Sequence, residues 1–323
     1  MIKVALIGIG GMGMGHFNTY KKLEEAKIVA VADPRTEMAR EKVNDENIKI
    51  YADMEELIKN EDVDMVDICT PSYLHVPLSI RAMELGKHVI CEKPMSQSSK
   101  DTKSVIKASE KYGKKYMVAH VLRFLAPYVY LKNVIESREL GNIVHLDMKR
   151  ILGIPRWTWE NWMRDVKKSG GCTIDTAIHD IDFSQYAFGL PKKIQSVHHC
   201  MRENNDYIVA NLIYDNHTVT ITSGWFNYEL PFRMEYQAIF ENGFVERKAD
   251  GTVLKNGEIV DLGNVDEGED TGINIKSGDG FLDEIRCFIS SINGNESADF
   301  VLPESSETSI RLAETIMKKA IKH

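Results

Sequence analysis

Short β-branched runs alternate with amphipathic helical stretches through the first third of the chain, at residues 2–7, 28–32, 63–69, 88–91 and 116–119. Strands separated by helices predict a parallel sheet, because a parallel neighbour needs a long crossover and a helix supplies it. The helical stretches carry matching punctuation. Asp53 stands three residues before Glu56 as a capping pair, and residues 72–85 run into Gly86, a helix stop. Right-handed crossovers then give an open, doubly wound sheet whose ligand lies at the carboxyl ends of the strands.

Beyond residue 122 the pattern changes. One helical stretch, 128–140, precedes longer strand-like segments at 143–151, 194–201, 207–214, 218–226 and 234–240, which predict a second, mainly antiparallel sheet. A helix at 175–188 interrupts these strands, and helices at 281–292 and 304–322 close the chain. Residues 263–280, rich in Gly, Asp and Glu and without periodicity, read as a long loop. Two domains are expected, 1–121 and 122–323, with the last helix packing back on the first.

Composition narrows the function classes. At 323 residues and 43% apolar content the chain can bury its cores without disulfides. Forty basic against 48 acidic residues give a net charge of −8, which disfavours nucleic acid as a partner. Five cysteines, odd in number and never in CxxC, argue against a disulfide framework or a zinc ribbon and fit a reducing cytoplasm. No segment approaches the roughly 18 consecutive apolar residues of a membrane span, and Met1-Ile2-Lys3-Val4 enters a strand without the regions of a secretory signal. A cytoplasmic protein with no membrane partner is expected.

The first strand ends in Gly8-Ile9-Gly10-Gly11-Met12-Gly13, a GxGxxG between a predicted strand and a predicted helix, with Asp33 20 residues after Gly13 at the end of the next strand. In that context Gly8 makes the tight turn, Gly10 lets backbone approach a pyrophosphate, and Gly13 lets helix and sheet pack closely. Asp33 would take the ribose hydroxyls and repel a 2′-phosphate, which favours NAD over NADP. Arg35, two residues on, keeps NADP open, although a solvated helix-start residue is the plainer reading.

Two further turns fall at the same sheet edge: Thr70-Pro71-Ser72-Tyr73-Leu74-His75, and Glu92-Lys93-Pro94 at the end of Gly86-Lys87-His88-Val89-Ile90-Cys91-Glu92-Lys93-Pro94. Together with Ser169-Gly170-Gly171-Cys172-Thr173-Ile174-Asp175-Thr176-Ala177-Ile178-His179, the set resembles the glucose-fructose oxidoreductase and inositol dehydrogenase family (Gfo/Idh/MocA). The resemblance implies an α/β protein: an N-terminal Rossmann domain with a doubly wound parallel sheet, then a C-terminal α/β domain with a large open, mainly antiparallel sheet that binds substrate and often mediates oligomers. It implies an NAD(P)-dependent oxidoreductase acting on a hydroxyl of a cyclic polyol, inositol or sugar, and a homodimer or homotetramer. By position Lys93 matches the lysine of the family's EKP motif, Asp175 its substrate-orienting aspartate and His179 its proton-transferring histidine. Cys172 replaces a glycine found in many members.

The same roles follow from chemistry. Asp175 and His179, four apart on a predicted helix, share one face beyond a compact glycine turn. Removing hydride from a carbinol requires its hydroxyl proton to leave, and a histidine titrating at about 6.5 can take it near neutral pH. Lys93 can donate to the same oxygen. Cofactor contacts are expected from Gly8 to Gly13, Asp33, Arg35, Thr70, Pro71, His75, Glu92 and Lys93, and substrate contacts from Lys93, Arg123, Trp162, Asp175 and His179. His120, Tyr128, Arg150 and Trp157 are weaker candidates, and His198 and His199 read as strand surface. Asp175, His179 and Asp182 find no further ligand pair at metal spacing, so no metal is expected. A redox-neutral NAD-assisted glycoside hydrolase and a non-catalytic regulator share the fold; retention of Lys93, Asp175 and His179 counts against the regulator.

Overall fold

The computed structural model describes residues 1–156, 158–202, 205–263, 269–270, 276–277, 279–295 and 302–322. The described residues of 1–124 and 265–307 form one compact unit, and those of 125–264 and 308–323 form another.

The first unit alternates strand and helix: β1 (Ile2–Ile7), α1 (Gly11–Tyr20), β2 (Ala26–Ala32), α2 (Thr36–Val43), β3 (Lys49–Tyr51), α3 (Met54–Asn60), β4 (Met65–Ile68), α4 (His75–Glu84), β5 (His88–Glu92), α5 (Ser99–Tyr112) and β6 (Tyr116–Ala119). The strands pair in parallel in the order β3-β2-β1-β4-β5-β6. Strand order reverses beside β1, so the turns after β1 and β4 part and leave a crevice at their carboxyl ends. The edge strand β3 escapes the sequence pattern because its three residues, Lys49, Ile50 and Tyr51, carry no apolar run. Asp53 caps α3 as expected, accepting the Glu56 N–H at 2.9 Å.

Alternation along β1 assigns each face its core. Ala5 and Ile7 pack with Met83, Val89, Val105 and Val118 on one side. Val4 and Leu6 face the other, where Val4 joins Tyr20, Met65, Ile90 and Met117.

The second unit opens with α6 (Ala126–Ser137) and β7 (Ile143–Gly153). Three helices follow, α7 (Val166–Ser169), α8 (Gly171–Asp175) and α9 (Ile178–Phe188), and then β8 (Lys193–Arg202), β9 (Asn205–Ile213), β10 (Thr218–Phe226), β11 (Arg233–Phe240), β12 (Gly243–Arg247), β13 (Val253–Lys255) and β14 (Glu258–Ile259). With β17 (Ile321–Lys322) these strands form an open nine-stranded sheet in the order β14-β13-β12-β11-β7-β10-β9-β8-β17. Pairing is antiparallel except for β7 with β10 and β8 with β17. Ile208, Ala210 and Leu212 of β9 are buried while Tyr207, Val209 and Asn211 are half-buried, the alternation of a sheet with one covered face.

Three expectations change. The helix expected at 175–188 is broken: the Ala177 N–H bonds the Cys172 carbonyl at 2.8 Å and ends α8, and the Asp180 N–H bonds the Ala177 carbonyl at 3.0 Å as α9 begins. The last helix, α11 (Pro303–Lys319), stops short of 322 and gives way to β17. Within 263–280 the described residues include a two-stranded ladder, β15 (Glu269–Asp270) with β16 (Lys276–Ser277), and most of the remainder lies outside the described residues.

The helix that completes the first unit is α10 (Asp279–Ile292), a segment that a single boundary after residue 121 would assign to the second. Its Ile285, Phe288 and Ile289 are at most 1% exposed and cover Val4, Met65, Ile90 and Met117. Phe288→Ala should therefore cost the first unit about 3–5 kcal/mol. Hydrogen exchange of β1 and β4 measures it, and a loss below about 1 kcal/mol, at the level of a surface substitution, would show that α10 does not cover this sheet.

Candidate active site

The turn after β1 is shaped by what a side chain would strike. Gly8 holds φ +89°, and a Cβ there would lie 2.7 Å from the Cys69 carbonyl oxygen; a Cβ on Gly13 would overlap the Gly8 carbonyl. A Cβ on Gly10 would meet nothing within 4 Å, so backbone is open to a ligand at that point. Helix α1 starts immediately afterwards with no side-chain cap and no acid in its first turn, which leaves its first N–H groups for an anion. The residues present fit a dinucleotide pyrophosphate. Ile9 is committed elsewhere: its side chain is buried, its N–H donates to Asp33 at 3.1 Å and its carbonyl accepts from Lys42 at 3.1 Å.

Asp33, 2% exposed, is gripped by Arg35, whose Nε and Nη2 donate to its two oxygens at 2.9 Å each. Burial pulls the Asp33 pKa upward, but the hydrogen bonds from Arg35 and from the Ile9 N–H hold it below the usual aspartate value, so it is ionised. Arg35 is thus a partner of the ribose-binding candidate and not merely a solvated helix start.

At the ends of β4 and β5 the two predicted turns are tied together by His75. Its Nδ1 lies 2.7 Å from the Pro94 carbonyl and its Nε2 2.9 Å from the Thr70 carbonyl. Burial lowers the pKa of His75, and the neutral ring donates to one carbonyl at a time. The ring therefore braces the backbone. Pro71 precedes a 3-10 turn, Ser72–Leu74, and the buried Thr70 Oγ1 finds no hydrogen-bond partner among the described residues. Lys93 is half-buried, and its N–H donates to Glu92 Oε2 at 3.0 Å.

In the second unit Gly170 and Gly171 adopt φ +76° and +71°, and α8 leads out of that turn to Asp175. Asp206 of β9 anchors the turn: its Oδ2 accepts the Cys172 N–H at 2.6 Å and would lie 2.6 Å from a Cβ on Gly171. His198 holds the other oxygen at 3.1 Å, so it is buried and engaged, where the sequence suggested strand surface. Thr176 donates to Asp175 Oδ2 at 3.2 Å and accepts from Trp225 Nε1 at 2.8 Å, which fixes the carboxylate from behind. His179 stands in the first turn of α9, 5% exposed. Its neighbour Asp180 binds Arg150 at 2.9 Å, and Arg150 also donates to the Tyr128 hydroxyl at 3.3 Å, so Arg150 of β7 joins α9 to α6. Asp182 accepts from Ser309 at 2.7 Å.

Arg123, 4% exposed, donates to Ser305 at 2.8 Å, His120 is buried just after β6, and Trp162 is half-buried in a 3-10 segment. Trp157 lies outside the described residues. Sequence reasoning passed over Asp206, Thr176 and Trp225, whose roles depend on strand register. It also missed His16 and Asp67, although an aspartate inside the apolar run Met65-Val66-Asp67-Ile68 is a signal that a buried partner exists.

A doubly wound sheet with a glycine turn and an acidic residue at the next strand end defines the dinucleotide-binding class of α/β folds. The chain belongs to the Gfo/Idh/MocA family: residues 2–120 match its oxidoreductase NAD-binding Rossmann fold, and residues 128–246 match its C-terminal domain. It is 30% identical over 191 residues to the 2,7-anhydro-N-acetylneuraminate hydratase of Mediterraneibacter gnavus, covering 59% of this chain and 50% of that protein. The myo-inositol 2-dehydrogenase of Thermotoga maritima is 28% identical over 191 residues, 58% of this chain and 55% of that one. The chain thus spans about half the length of these relatives. The 4-carboxy-2-hydroxymuconate-6-semialdehyde dehydrogenase of Sphingobium sp. is 28% identical over 283 residues, 82% of this chain and 85% of that one. An oxidoreductase from Agrobacterium radiobacter, solved with NAD+, L-tartaric acid and magnesium, shares the fold at TM-score 0.81 and 19% identity over 99% of this chain and 96% of that one. Among the described residues no helix is long and apolar enough to cross a membrane.

Two outcomes follow from this geometry. With the His75 pKa lowered, the unfolded chain binds more protons below about pH 6.5, so the contribution of His75 is complete above that pH and is lost as pH falls through the folded value. His75→Asn should flatten the acid-side slope of unfolding free energy in urea titrations between pH 7.5 and 5, and an unchanged slope would exclude His75 as its source. Arg35→Ala should weaken NADP+ binding about tenfold, the scale of one charge-assisted hydrogen bond, and leave NAD+ within about twofold. Calorimetry with both nucleotides decides it, and equal losses would mean that Arg35 does not meet the 2′-phosphate.

Proposed function

We propose that the protein is an NAD-dependent dehydrogenase that moves a hydride between a secondary carbinol of a cyclic polyol, inositol or sugar and nicotinamide. The observation that carries this reading is the presence in one chain of an ionised Asp33 beside an open glycine turn and, after a second glycine turn, of buried Asp175 and His179. The likeness to a myo-inositol 2-dehydrogenase supports the substrate class.

Gly8 to Gly13 and the first N–H groups of α1 would hold the pyrophosphate, Asp33 the adenosine ribose, and the Thr70 and Lys93 turns the nicotinamide end. NAD, when bound, supplies the hydride acceptor. The protein's own residues handle the proton and the charge. His179 takes the proton of the reacting hydroxyl, Lys93 donates a hydrogen bond to the oxygen on which negative charge develops, and Asp175, held by Thr176, accepts from a neighbouring hydroxyl to orient the ring. The carbinol becomes a carbonyl, the hydride leaves with its electron pair, and the proton passes to solvent through His179. The hydratase relative favours a second reading on the same fold, in which NAD is returned unchanged at the end of the cycle.

A screen at 340 nm of NAD+ against inositols, aldoses and sugar acids should produce NADH with at least one. Lys93→Met and His179→Gln should each lower kcat by about 10²–10⁴ while the Kd for NAD+ stays within about threefold, since neither side chain is assigned to the nucleotide's phosphates. Unchanged kcat in both variants would end this assignment, and product formed without net NADH would favour the redox-neutral reading.

A further inference from the structure

Beneath the glycine turn of the first unit lies a cluster of ionisable side chains that the proposed chemistry does not use. His16 of α1 and Asp67 of β4 are each 0% exposed, Glu92 at the end of β5 is 5% exposed, and Glu284 of α10 is 0% exposed. His16 Nδ1 lies 2.8 Å from Asp67 Oδ2, and its Nε2 lies 3.1 Å from Glu92 Oε1. Carboxylate oxygens only accept, so both contacts are hydrogen bonds only when the imidazole donates from both nitrogens, that is, as the imidazolium. Burial is the largest influence and opposes that charge, but Asp67 and Cys69 together more than offset it, by charge and hydrogen bonding, and the His16 pKa lies well above its ordinary value.

The other groups facing this ring accommodate the cation. Burial keeps the Cys69 thiol and the Tyr20 phenol protonated. Glu284, pushed well above the carboxylate range by burial and by the charge of Glu92, is neutral. The ligand atoms of His16, Asp67 and Cys69 lie within 4.8 Å of one another, but both nitrogens of the imidazole are already committed to carboxylates.

What matters is where the second oxygen of Glu92 points. Oε1 meets His16, and Oε2 accepts the backbone N–H of Lys93 at 3.0 Å. A continuous chain of hydrogen bonds therefore runs from Asp67 through His16 and Glu92 to the main chain of Lys93. We propose that His16 is a positioning residue: clamped between Asp67 and Glu92, it orients the Glu92 carboxylate that holds the Lys93 backbone, and so aims the Lys93 ammonium group. This inference rests on the assignment of Lys93 above, but its first link is a property of the folded chain alone. Without the imidazolium, Asp67 and Glu92 remain buried without their shared cation, and Glu92 takes up a proton or turns away. Either change weakens the acceptor at Lys93, and a displacement of about 1 Å at a reacting group costs up to about 10²-fold in rate.

The test uses the full chain and His16→Gln, whose amide has donors on one end only, with Glu92→Gln as the second variant because its amide oxygen still accepts the Lys93 N–H. Amide hydrogen exchange at Lys93, read by NMR, needs no substrate. It should accelerate at least tenfold in His16→Gln and less in Glu92→Gln, with the Met14 amide of α1 unchanged. On the substrate identified in the screen, His16→Gln should lose about 10–100-fold in kcat with the Kd for NAD+ within about threefold. The loss should vanish in a Lys93→Met background, the signature of an effect transmitted through Lys93. Unchanged exchange at Lys93 overturns the proposal whatever the substrate, and so does a kcat loss of equal size with and without Lys93. Should His16→Gln fail to fold, Glu92→Ala decides the exchange arm: a Lys93 amide still protected there overturns the link. Accelerated exchange in His16→Gln, with the wild-type protein turning over no substrate, would instead support the link and count against the assignment of Lys93.

Discussion

The approach of α1 to the sheet is the constraint on which the first unit depends. With no Cβ on Gly8 or Gly13, the helix start comes down onto the Gly8 carbonyl and the Cys69 main chain. Nearly everything functional in this unit presumes that closeness. The N–H groups of the first turn are presented to an anion only if the helix begins there. His16, three residues after Gly13, reaches Asp67 and Glu92 only if the helix lies this near to β4 and β5. The glycines thus do more than admit a ligand: they let an imidazolium be buried where two carboxylates can share it, which offsets part of the cost of removing three ionisable groups from water.

The second unit solves a similar problem by other means. Its two candidate groups sit on separate short helices, each pinned independently. Asp206 and His198 secure the glycine turn and the start of α8, while Thr176 and Trp225 hold the Asp175 carboxylate from behind. The buried pair Arg150–Asp180 ties α9 to the sheet beside His179. Breaking one continuous helix into two frees the orientation of Asp175 from that of His179, which a single helix would couple at fixed angular spacing.

What could be read from sequence was what is encoded locally. The GxGxxG and Asp33 are legible because their spacing is the geometry, and the longer strands are legible because burial on one face imposes alternation. The strands β3, β13, β14 and β17 are too short for a period to show, and their existence depends on neighbours that supply the other half of each hydrogen bond. The break at Thr176–Ala177 is invisible to periodicity, since apolar spacing does not record that the Ala177 N–H reaches Cys172. His198 looked exposed because its partner Asp206 lies on the adjacent strand, across a register that only the folded sheet defines. Asp67 was the missed opportunity: a charge in a fully buried parallel strand demands a counterpart, and His16 is it.

The return of α10 to the first sheet bears on how the chain is made. Synthesis proceeds from the N-terminus, so Val4, Met65, Ile90 and Met117 are all complete long before the residues that cover them, 279–292, leave the ribosome. For that interval the apolar face of the nascent sheet has Tyr20 and Leu23 against it but lacks Ile285, Phe288 and Ile289, while the whole of β7 to β14 is still being added. A nucleotide turn that looks self-contained in sequence therefore belongs to a unit that closes only after the strands β7 to β14 of the other unit have been made.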